Sequence, residues 1–230
     1  MPNMKYRALV PVKALSAAKS RLIPHLAQEQ RKTLVLEMLC HVLRALHDSN
    51  MLEQISVVSP DPLVLDYAQE WGAQALGEEL PGHNAALHAA ALGEYEAGTP
   101  ALLTIAADLP LLQAGDIRAF LERSHKYSVV LAPSRDGSGT NALLTRPPLA
   151  LPYLFGVNSL HNYQRAANER QLNSTLYHSI GLALDIDTID DLDDMYEIQA
   201  LSGEKIHNQT KEMSYANTWL FSSTGTIPSH

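Results

Sequence analysis

Three cationic side chains follow an apolar run near the start of the chain: Lys13, Lys19 and Arg21. The run Ala-Leu-Val-Pro-Val-Lys, residues 8–13, has the length and composition of a β-strand. Cationic groups are costly to bury without partners, so these three should face solvent or a ligand. In open α/β sheets, ligands bind beyond the carboxyl ends of the strands. The segment therefore predicts an anion site, most simply for a polyphosphate, and a solvated basic loop is the alternative.

Carboxylates are expected at the same crevice. Asp108 follows the most continuous apolar stretch, residues 101–107, which we predict to be the central strand because strands buried on both faces read as apolar runs. Asp185 and Asp187 are two residues apart in a segment predicted to be extended, so both should point to one side. Together with Asp108 they could hold a hard cation such as Mg²⁺, and a solvated turn is the alternative for the pair.

Two further acidic residues have a simpler explanation. Asp190 and Asp191 fall in the first turn of the last predicted helix, after Thr188 as its N-cap. Acidic groups there are stabilised by the helix dipole, so we assign them no ligand.

A glycine-containing turn, residues 137–142, fits the dinucleotide fingerprint G-x-G-x-x-A. Only four residues separate it from Pro147 and Pro148, which is too short for the fingerprint helix, and no acidic residue that could hold a ribose occurs between Gly137 and Asn168. We therefore expect the glycines to allow close approach of the backbone to a ligand. The Thr140 hydroxyl and the Asn141 amide would supply hydrogen bonds to it.

Alternating strand and helix patterns surround these residues and predict an α/β fold. Helices are predicted over residues 28–49, 63–71, 84–92, 114–124, 160–170 and 191–201. Strands or extended pieces are predicted over 8–13, 54–59, 73–76, 101–107, 128–133, 140–145, 174–178 and 181–184. We expect one domain over residues 1–201 and a polar tail over 202–230, in which Trp219, Leu220 and Phe221 could dock on the body or on a second subunit.

Composition limits the function classes. The 230 residues carry a formal net charge of −8, which argues against nucleic acid or an anionic membrane surface as the main partner and makes the local basic segment conspicuous. The start of the chain has no long apolar segment and no run approaches a membrane span, so we expect a cytoplasmic protein. The single cysteine, Cys40, sits in an apolar helical pattern and is expected to be a buried, inert thiol.

Seven sequence pieces in order resemble the guanylyltransferases of deazaflavin coenzyme (coenzyme F-420) biosynthesis. The pieces are V-P-V-K-x5-K-S-R-L (10–22), V-V-S (57–59), G-x-N-x-A-L (82–87), A-D-L-P-L-L (107–112), G-T-N-A-L-L (139–144), F-G-x-x-S (155–159) and L-A-L-D-I-D-T (182–188). The resemblance implies a single-domain, three-layer, Rossmann-like nucleotidyltransferase fold with a mixed, mostly parallel sheet. It implies transfer of GMP from GTP to a three-carbon phospho-acid, namely 2-phospho-L-lactate, phosphoenolpyruvate or 3-phospho-D-glycerate.

The resemblance also implies roles for particular residues. Lys13, Lys19, Arg21 and Asp108 would be catalytic and would bind the nucleotide together with Ser59 and Asn84, and Asp108, Asp185 and Asp187 would carry Mg²⁺. The acid would be bound by Thr140, Asn141, Gly156, Ser159 and His83. A transferase that accepts the product, and a homodimer, are the partners to consider.

Three positions depart from the family pattern: His83 replaces a usual leucine, Ser138 a usual glycine and Tyr163 a common histidine. A polar His83 would suit a hydroxylated acceptor such as 3-phospho-D-glycerate. Two other functions stay open from the residues. One is a related nucleotidyltransferase acting on molybdopterin or a sugar phosphate, although its glycine-rich first loop is missing here. The other is a catalytically silent nucleotide-binding protein.

Overall fold

A computed structural model describes residues 6–78 and 82–201 of the chain. The strands of this part are β1 (Tyr6–Pro11), β2 (Leu52–Ser59), β3 (Gln74–Gly77), β4 (Ala101–Ile105), β5 (Val129–Pro133), β6 (Thr140–Thr145) and β7 (Ser174–Leu176). The helices are α1 (Gln28–Asp48), α2 (Pro62–Glu70), α3 (His83–Glu96), α4 (Ala114–Glu122), α5 (Ser159–Glu169), α6 (Ile180–Ala183) and α7 (Ile189–Leu201). The predicted tail, 202–230, with its possible docking residues, lies outside the described residues, and the domain boundary at 201 stays a prediction.

The strands form one seven-stranded sheet in the order β3-β2-β1-β4-β6-β5-β7. Neighbouring strands are parallel except at β6, which runs antiparallel to both β4 and β5. The predicted mixed, mostly parallel sheet is confirmed. Strand β4 occupies the centre and is buried at every position, as its apolar sequence predicts.

Helices cover both faces of the sheet because successive strand residues point to opposite sides. Ala8 and Val10 of β1 pack with α1, α2 and α4 in one apolar cluster, whereas Leu9 between them packs against α3. On that second face, α5 covers β5 and β6. Helix α7 packs against the first turns of α1 in a smaller cluster of its own. The arrangement is the predicted three-layer α/β/α sandwich.

The reversed direction of β6 brings its first residues to the edge of the sheet where β1 and β4 end. The carboxyl ends of β1 and β4 lie at one edge of the sheet, and an antiparallel β6 brings its first residues, Thr140 and Asn141, to that edge. The amide of Ala106, just after β4, accordingly donates to the carbonyl of Asn141 at 2.8 Å. One edge therefore collects segments from the amino-terminal, middle and carboxyl-terminal parts of the domain.

One predicted element is wrong. Residues 181–184 were expected to be extended, but Ile180–Ala183 form the single-turn helix α6. The Ser179 side chain accepts a hydrogen bond from the Leu182 amide at 3.2 Å and so caps the turn, a local interaction that competes with an extended backbone. The extended piece predicted over 174–178 is also shorter, since β7 ends at Leu176. In the part of the chain that the structure describes, no helix combines the length and hydrophobicity needed to cross a bilayer.

Helix α6 depends on a glycine. A Cβ at Gly181 would lie 2.8 Å from the carbonyl oxygen of Leu111 and would clash with the carboxylate of Asp116. We expect Gly181→Ala to lower the free energy of unfolding by about 1–3 kcal/mol, because backbone must move to relieve the overlap. Gly115→Ala in α4 is the matched control, since its Cβ would have nothing within 4 Å, and it should be neutral or mildly stabilising. Chemical denaturation of both variants tests this expectation, and equal stabilities would contradict it.

Candidate active site

A crevice of about 1030 Å³ opens at the carboxyl edge of the sheet. It is lined by most of the residues that the sequence singled out: Lys13, Lys19, Arg21, His83, Asp108, Thr140, Asn141, Gly156, Ser159, Asp185 and Asp187. The cations of the amino-terminal segment and the carboxylates from the middle and end of the domain therefore share one cavity. This juxtaposition was the main expectation from the sequence, and it is confirmed.

Two predicted nucleotide-binding residues, Ser59 and Asn84, are not among the side chains that line this crevice. Ser59 is fully buried and its hydroxyl accepts a hydrogen bond from the Asp61 amide at 3.1 Å. The Asn84 side chain pairs in both directions with the backbone of Phe155, at 3.0 and 3.1 Å. Both side chains have structural partners, and their contact with a nucleotide stays a prediction.

Asp108, Asp185 and Asp187 form a compact carboxylate cluster. One oxygen from each lies within 4.8 Å of the others. A backbone hydrogen bond of 3.2 Å from the Ile186 amide to the Asp108 carbonyl joins the two segments that carry them. Three converging carboxylate oxygens are the hard donors that Mg²⁺ and similar ions prefer, so the donor set fits a divalent cation.

Lys19 and Arg21 lie against these carboxylates. The Lys19 ammonium forms ion pairs with Asp108 and, at 3.0 Å, with Asp187. The Lys19 side chain is only 8% exposed, whereas Arg21, at 3.8 Å from Asp187, is 73% exposed. Lys13 is exposed and lines the same crevice. The three cations thus range from a buried, paired ammonium at Lys19 to two exposed groups at Lys13 and Arg21.

The cluster shifts the pKa values of its members in opposite directions. Burial alone would lower the pKa of Lys19, but the charges of Asp108 and Asp187 outweigh it and hold that pKa above its ordinary value. At Asp187, burial alone would raise the pKa, but the charge and hydrogen bond of Lys19 outweigh it and the pKa is lowered. Burial, followed by the charge of Asp108, raises the pKa of Asp185 to about 6. Lys19 pairs with Asp108 and Asp187 and not with Asp185, so burial dominates at Asp185.

Asn141 acts on this cluster. Its side-chain amide donates to Asp185 Oδ1 at 3.0 Å and lies 3.1 Å from the carbonyl oxygens of Leu182 and Ala183. The sequence assigned Asn141 to the substrate, but in the structure its amide nitrogen is used to orient Asp185 and the end of α6. Asn141 lines the crevice, and its contact with substrate stays a prediction.

A second group of predicted residues, Thr140, Gly156 and Ser159, also lines the crevice. Thr140 is buried, and its Oγ1 has no hydrogen-bond partner among the described residues. Gly156 has a φ of +127°, a conformation that side chains rarely adopt, and it leads into buried Ser159 at the start of α5. An unpaired buried hydroxyl is costly, so Thr140 is suited to receive a ligand oxygen.

His83 also lines the crevice. Its ring meets Phe155 edge to face, with centroids 5.9 Å apart. Burial, and then the nearby charge of Lys13, lower the pKa of His83, so the imidazole is neutral at pH 7. Tyr163, another departure from the family pattern, is fully buried and its hydroxyl accepts from the Leu154 amide at 2.9 Å. Tyr163 therefore supports the wall of the crevice from behind.

Sequence reasoning missed two residues that shape the site. Asp61 accepts from the Leu15 amide at 2.9 Å and so ties the basic segment to the start of α2. Asp136 accepts from the hydroxyls of Ser134 and Ser138, at 2.7 Å each, and holds the turn between β5 and β6 against the crevice. Both residues lie in sequence patterns that are typical of turns. Asp61 directly follows Pro60, and Asp136 is two residues before Ser138, so these patterns could have identified them.

The predicted capping of α7 is confirmed. Asp191 Oδ2 accepts from the amides of Asp187 and Thr188 at 2.9 and 2.7 Å, and the Thr188 hydroxyl accepts from the Asp191 amide at 3.4 Å. Because Asp191 fixes the backbone of Asp187, the helix start also orients a member of the carboxylate cluster.

The sequence matches a known family over most of its length. The family described as "Guanylyl transferase CofC like" matches residues 6–216. A phosphoenolpyruvate guanylyltransferase from Sphaerobacter thermophilus is 42% identical over 191 residues, covering 82% of this chain and 91% of the relative. A 3-phospho-D-glycerate guanylyltransferase from Colwellia psychrerythraea is 36% identical over 194 residues, covering 83% and 90%.

The fold is also found among solved structures. A protein described as a nucleotide-diphospho-sugar transferase, from Desulfovibrio desulfuricans, superposes with a TM-score of 0.74 at 14% identity and covers 94% of this chain and 93% of its own. At such low identity the likeness concerns the fold alone.

Proposed function

The chain belongs to the CofC-like guanylyl transferase family, and on that premise we propose that it joins GMP from GTP to the phosphate of a three-carbon phospho-acid, in coenzyme F-420 biosynthesis. The observation that carries the proposal is the crevice in which three cations face three carboxylates. A cationic segment suits the triphosphate, and the carboxylate cluster suits the divalent ion that accompanies it. The relatives named above act on phospho-acids, so a sugar phosphate or molybdopterin is not favoured as acceptor.

The proposed reaction is an in-line displacement at the α-phosphorus of GTP by a phosphate oxygen of the acid, with release of pyrophosphate. A phosphate monoester has a second pKa of about 6, so the attacking oxygen is already ionised near pH 7. No protein group has to remove a proton from it. The neutral His83 is therefore not needed as a base, and the site has to align two anions and offset their repulsion.

The residues divide this work between them. Lys13, Lys19 and Arg21 would offset the charge of the triphosphate and of the departing pyrophosphate. Asp108, Asp185 and Asp187 would hold Mg²⁺, which when bound supplies charge neutralisation and alignment of the phosphates. In the same crevice, the unpaired Thr140 hydroxyl, the open backbone at Gly156 and the start of α5 at Ser159 would receive the acid.

His83 supports a hydroxylated acid as the acceptor. Its neutral ring can both donate and accept a hydrogen bond, and it lies in the crevice lining beside Phe155. Of the three acids implied by the family, 3-phospho-D-glycerate carries a free hydroxyl, and the others do not. We therefore place 3-phospho-D-glycerate first and phosphoenolpyruvate and 2-phospho-L-lactate after it.

The test is a comparison of acids with GTP and Mg²⁺, in which the mass of each guanylylated product is measured. We expect a GMP adduct and pyrophosphate with the wild-type protein, fastest with 3-phospho-D-glycerate. In His83→Leu, kcat/KM for 3-phospho-D-glycerate should fall about tenfold relative to phosphoenolpyruvate, because one hydrogen bond is lost to one acid only. His88→Leu is the matched control, since His88 is an exposed residue of the same helix.

The outcomes separate the two parts of this proposal. If no acid gives a product with GTP, the guanylyltransferase function is wrong for this chain. If the His83→Leu variant slows all acids by the same factor, transfer stands but the role of His83 in acceptor choice does not. The transferase that would accept the product, a homodimer and a cytoplasmic location remain expectations that this comparison leaves open.

A further inference from the structure

The Lys19 ammonium occupies the part of the site where a cation is expected. It pairs with Asp108 and with Asp187, at 3.0 Å from the latter, and only 8% of its side chain is exposed. These two carboxylates are also two of the three that converge within 4.8 Å. A divalent ion held by the cluster and the paired ammonium would therefore compete for the same two carboxylates, and like charges at such distances repel strongly.

The backbone conformation of Lys19 indicates that local chain preferences alone do not place its ammonium between the carboxylates. Lys19 has φ 52° and ψ 43°, a left-handed conformation that is unfavourable for a residue with a side chain. Such conformations persist where surrounding structure compensates for them, and they occur often at ligand sites and switches. The two ion pairs to Asp108 and Asp187 are contacts of the kind that can compensate here.

We propose that Lys19 acts as a stand-in cation, which fills the carboxylate cluster while nucleotide is absent and moves to the triphosphate when metal and nucleotide bind together. Free protein would then bind divalent metal weakly, and nucleotide and metal would favour each other's binding. The part of this inference that concerns the triphosphate rests on the proposed function. The competition between Lys19 and a divalent ion rests on the ion pairs alone.

The charges around the cluster set the direction of the effect. With Lys19 in place, three carboxylates face one ammonium, and Arg21 stands farther off at 3.8 Å from Asp187. Neutralising Lys19 leaves the carboxylates without their closest cation and removes the competitor for their oxygens. Metal affinity should rise for both reasons.

The first experiment titrates nucleotide-free protein with Mn²⁺ and measures free Mn²⁺ by electron paramagnetic resonance. We expect Lys19→Met and Lys19→Gln to bind Mn²⁺ about tenfold more tightly than wild type, since a paired ammonium no longer has to be displaced. Lys32→Met is the matched control, because Lys32 pairs with Glu29 on α1, away from the crevice, and its loss should leave affinity unchanged. Equal or weaker Mn²⁺ binding by both Lys19 variants would overturn the proposal.

A second measurement needs no variant. The reactivity of Lys19 toward an amine-acetylating reagent is followed by peptide mass spectrometry in the wild-type protein, with Lys32 as internal reference. Lys19 should be protected without metal and should become several-fold more reactive at saturating Mn²⁺. Unchanged reactivity of Lys19 across that titration would contradict displacement even if a Lys19 variant failed to fold.

Neither readout requires guanylyl transfer. A protein that guanylylates no acid, yet shows tighter Mn²⁺ binding in the Lys19 variants, would overturn the proposed function and keep the stand-in role. If the wild-type protein guanylylates an acid but the Lys19 variants bind Mn²⁺ with unchanged affinity, the proposed function is kept and the stand-in role is overturned.

Discussion

Replacing Asp108 with asparagine is expected to lower guanylyl transfer at least about a thousandfold while the fold is retained. The carboxylate follows the central strand, pairs with Lys19 and adjoins Asp185 and Asp187. Loss of one anionic ligand weakens a metal-centred stabilisation that is worth several kcal/mol in transition states of this kind. The measurement is the rate of pyrophosphate release with GTP and the best acid.

The fold should survive Asp108→Asn for a specific reason. The hydrogen bond that joins the two carboxylate segments uses the backbone carbonyl of Asp108, not its side chain. Asp190→Asn is the matched control, because Asp190 is an exposed acidic residue near the cluster that does not line the crevice. A normal rate of pyrophosphate release in Asp108→Asn would remove the metal assignment.

Replacing Asp185 with asparagine should have two opposite consequences. Transfer should fall at least about a hundredfold, because one of the three converging oxygens loses its charge. Stability should rise, because the folded protein raises the pKa of Asp185 from 3.8 to about 6, mainly by burial. The fold therefore disfavours the ionised carboxylate at neutral pH, and the neutral amide avoids that penalty while it can still accept from Asn141.

The sign of the pH dependence follows from these two pKa values. Above pH 6, Asp185 is ionised in both folded and unfolded chains and its penalty is complete; as the pH falls from about 6 toward 3.8, the folded protein takes up the proton first and the penalty disappears. Asp185→Asn should therefore gain on the order of 1–2 kcal/mol above pH 6, allowing for solvent screening, and nothing near pH 4. Urea denaturation with a chelator at several pH values measures this difference.

Asp136→Asn provides the contrasting control. Hydrogen bonds from Ser134 and then Ser138 lower the pKa of Asp136 from 3.8 to about 2. The ionised Asp136 therefore stabilises the fold above pH 3.8, and that contribution is lost as the pH falls toward 2. Its asparagine variant should lose stability at neutral pH. If Asp185→Asn and Asp136→Asn shift stability in the same direction at pH 7, the description of Asp185 is wrong.

The elements of the fold were largely readable from local patterns. The 21-residue helix α1, the fully buried central strand β4 and the capped start of α7 follow from periodicity, a largely apolar sequence and the Thr188–Asp191 pair. Helix α6 was not readable, because its one turn depends on the Ser179 cap and on Gly181 fitting against Leu111 and Asp116. Contacts between segments distant in the sequence leave no periodic signal in either one.

The sequence by itself determined which residue types could meet at the edge of the sheet: cations after β1, a carboxylate after β4 and a carboxylate pair before α7. These follow from the rule that parallel strands deliver their carboxyl ends to one crevice. Only the tertiary structure decided how the groups are paired, with Lys19 between Asp108 and Asp187, Asn141 holding Asp185, and Ser59 and Asn84 engaged with the backbone. The reason is that charge pairing and burial depend on distances of a few ångströms between segments, which the order of residues along the chain does not encode.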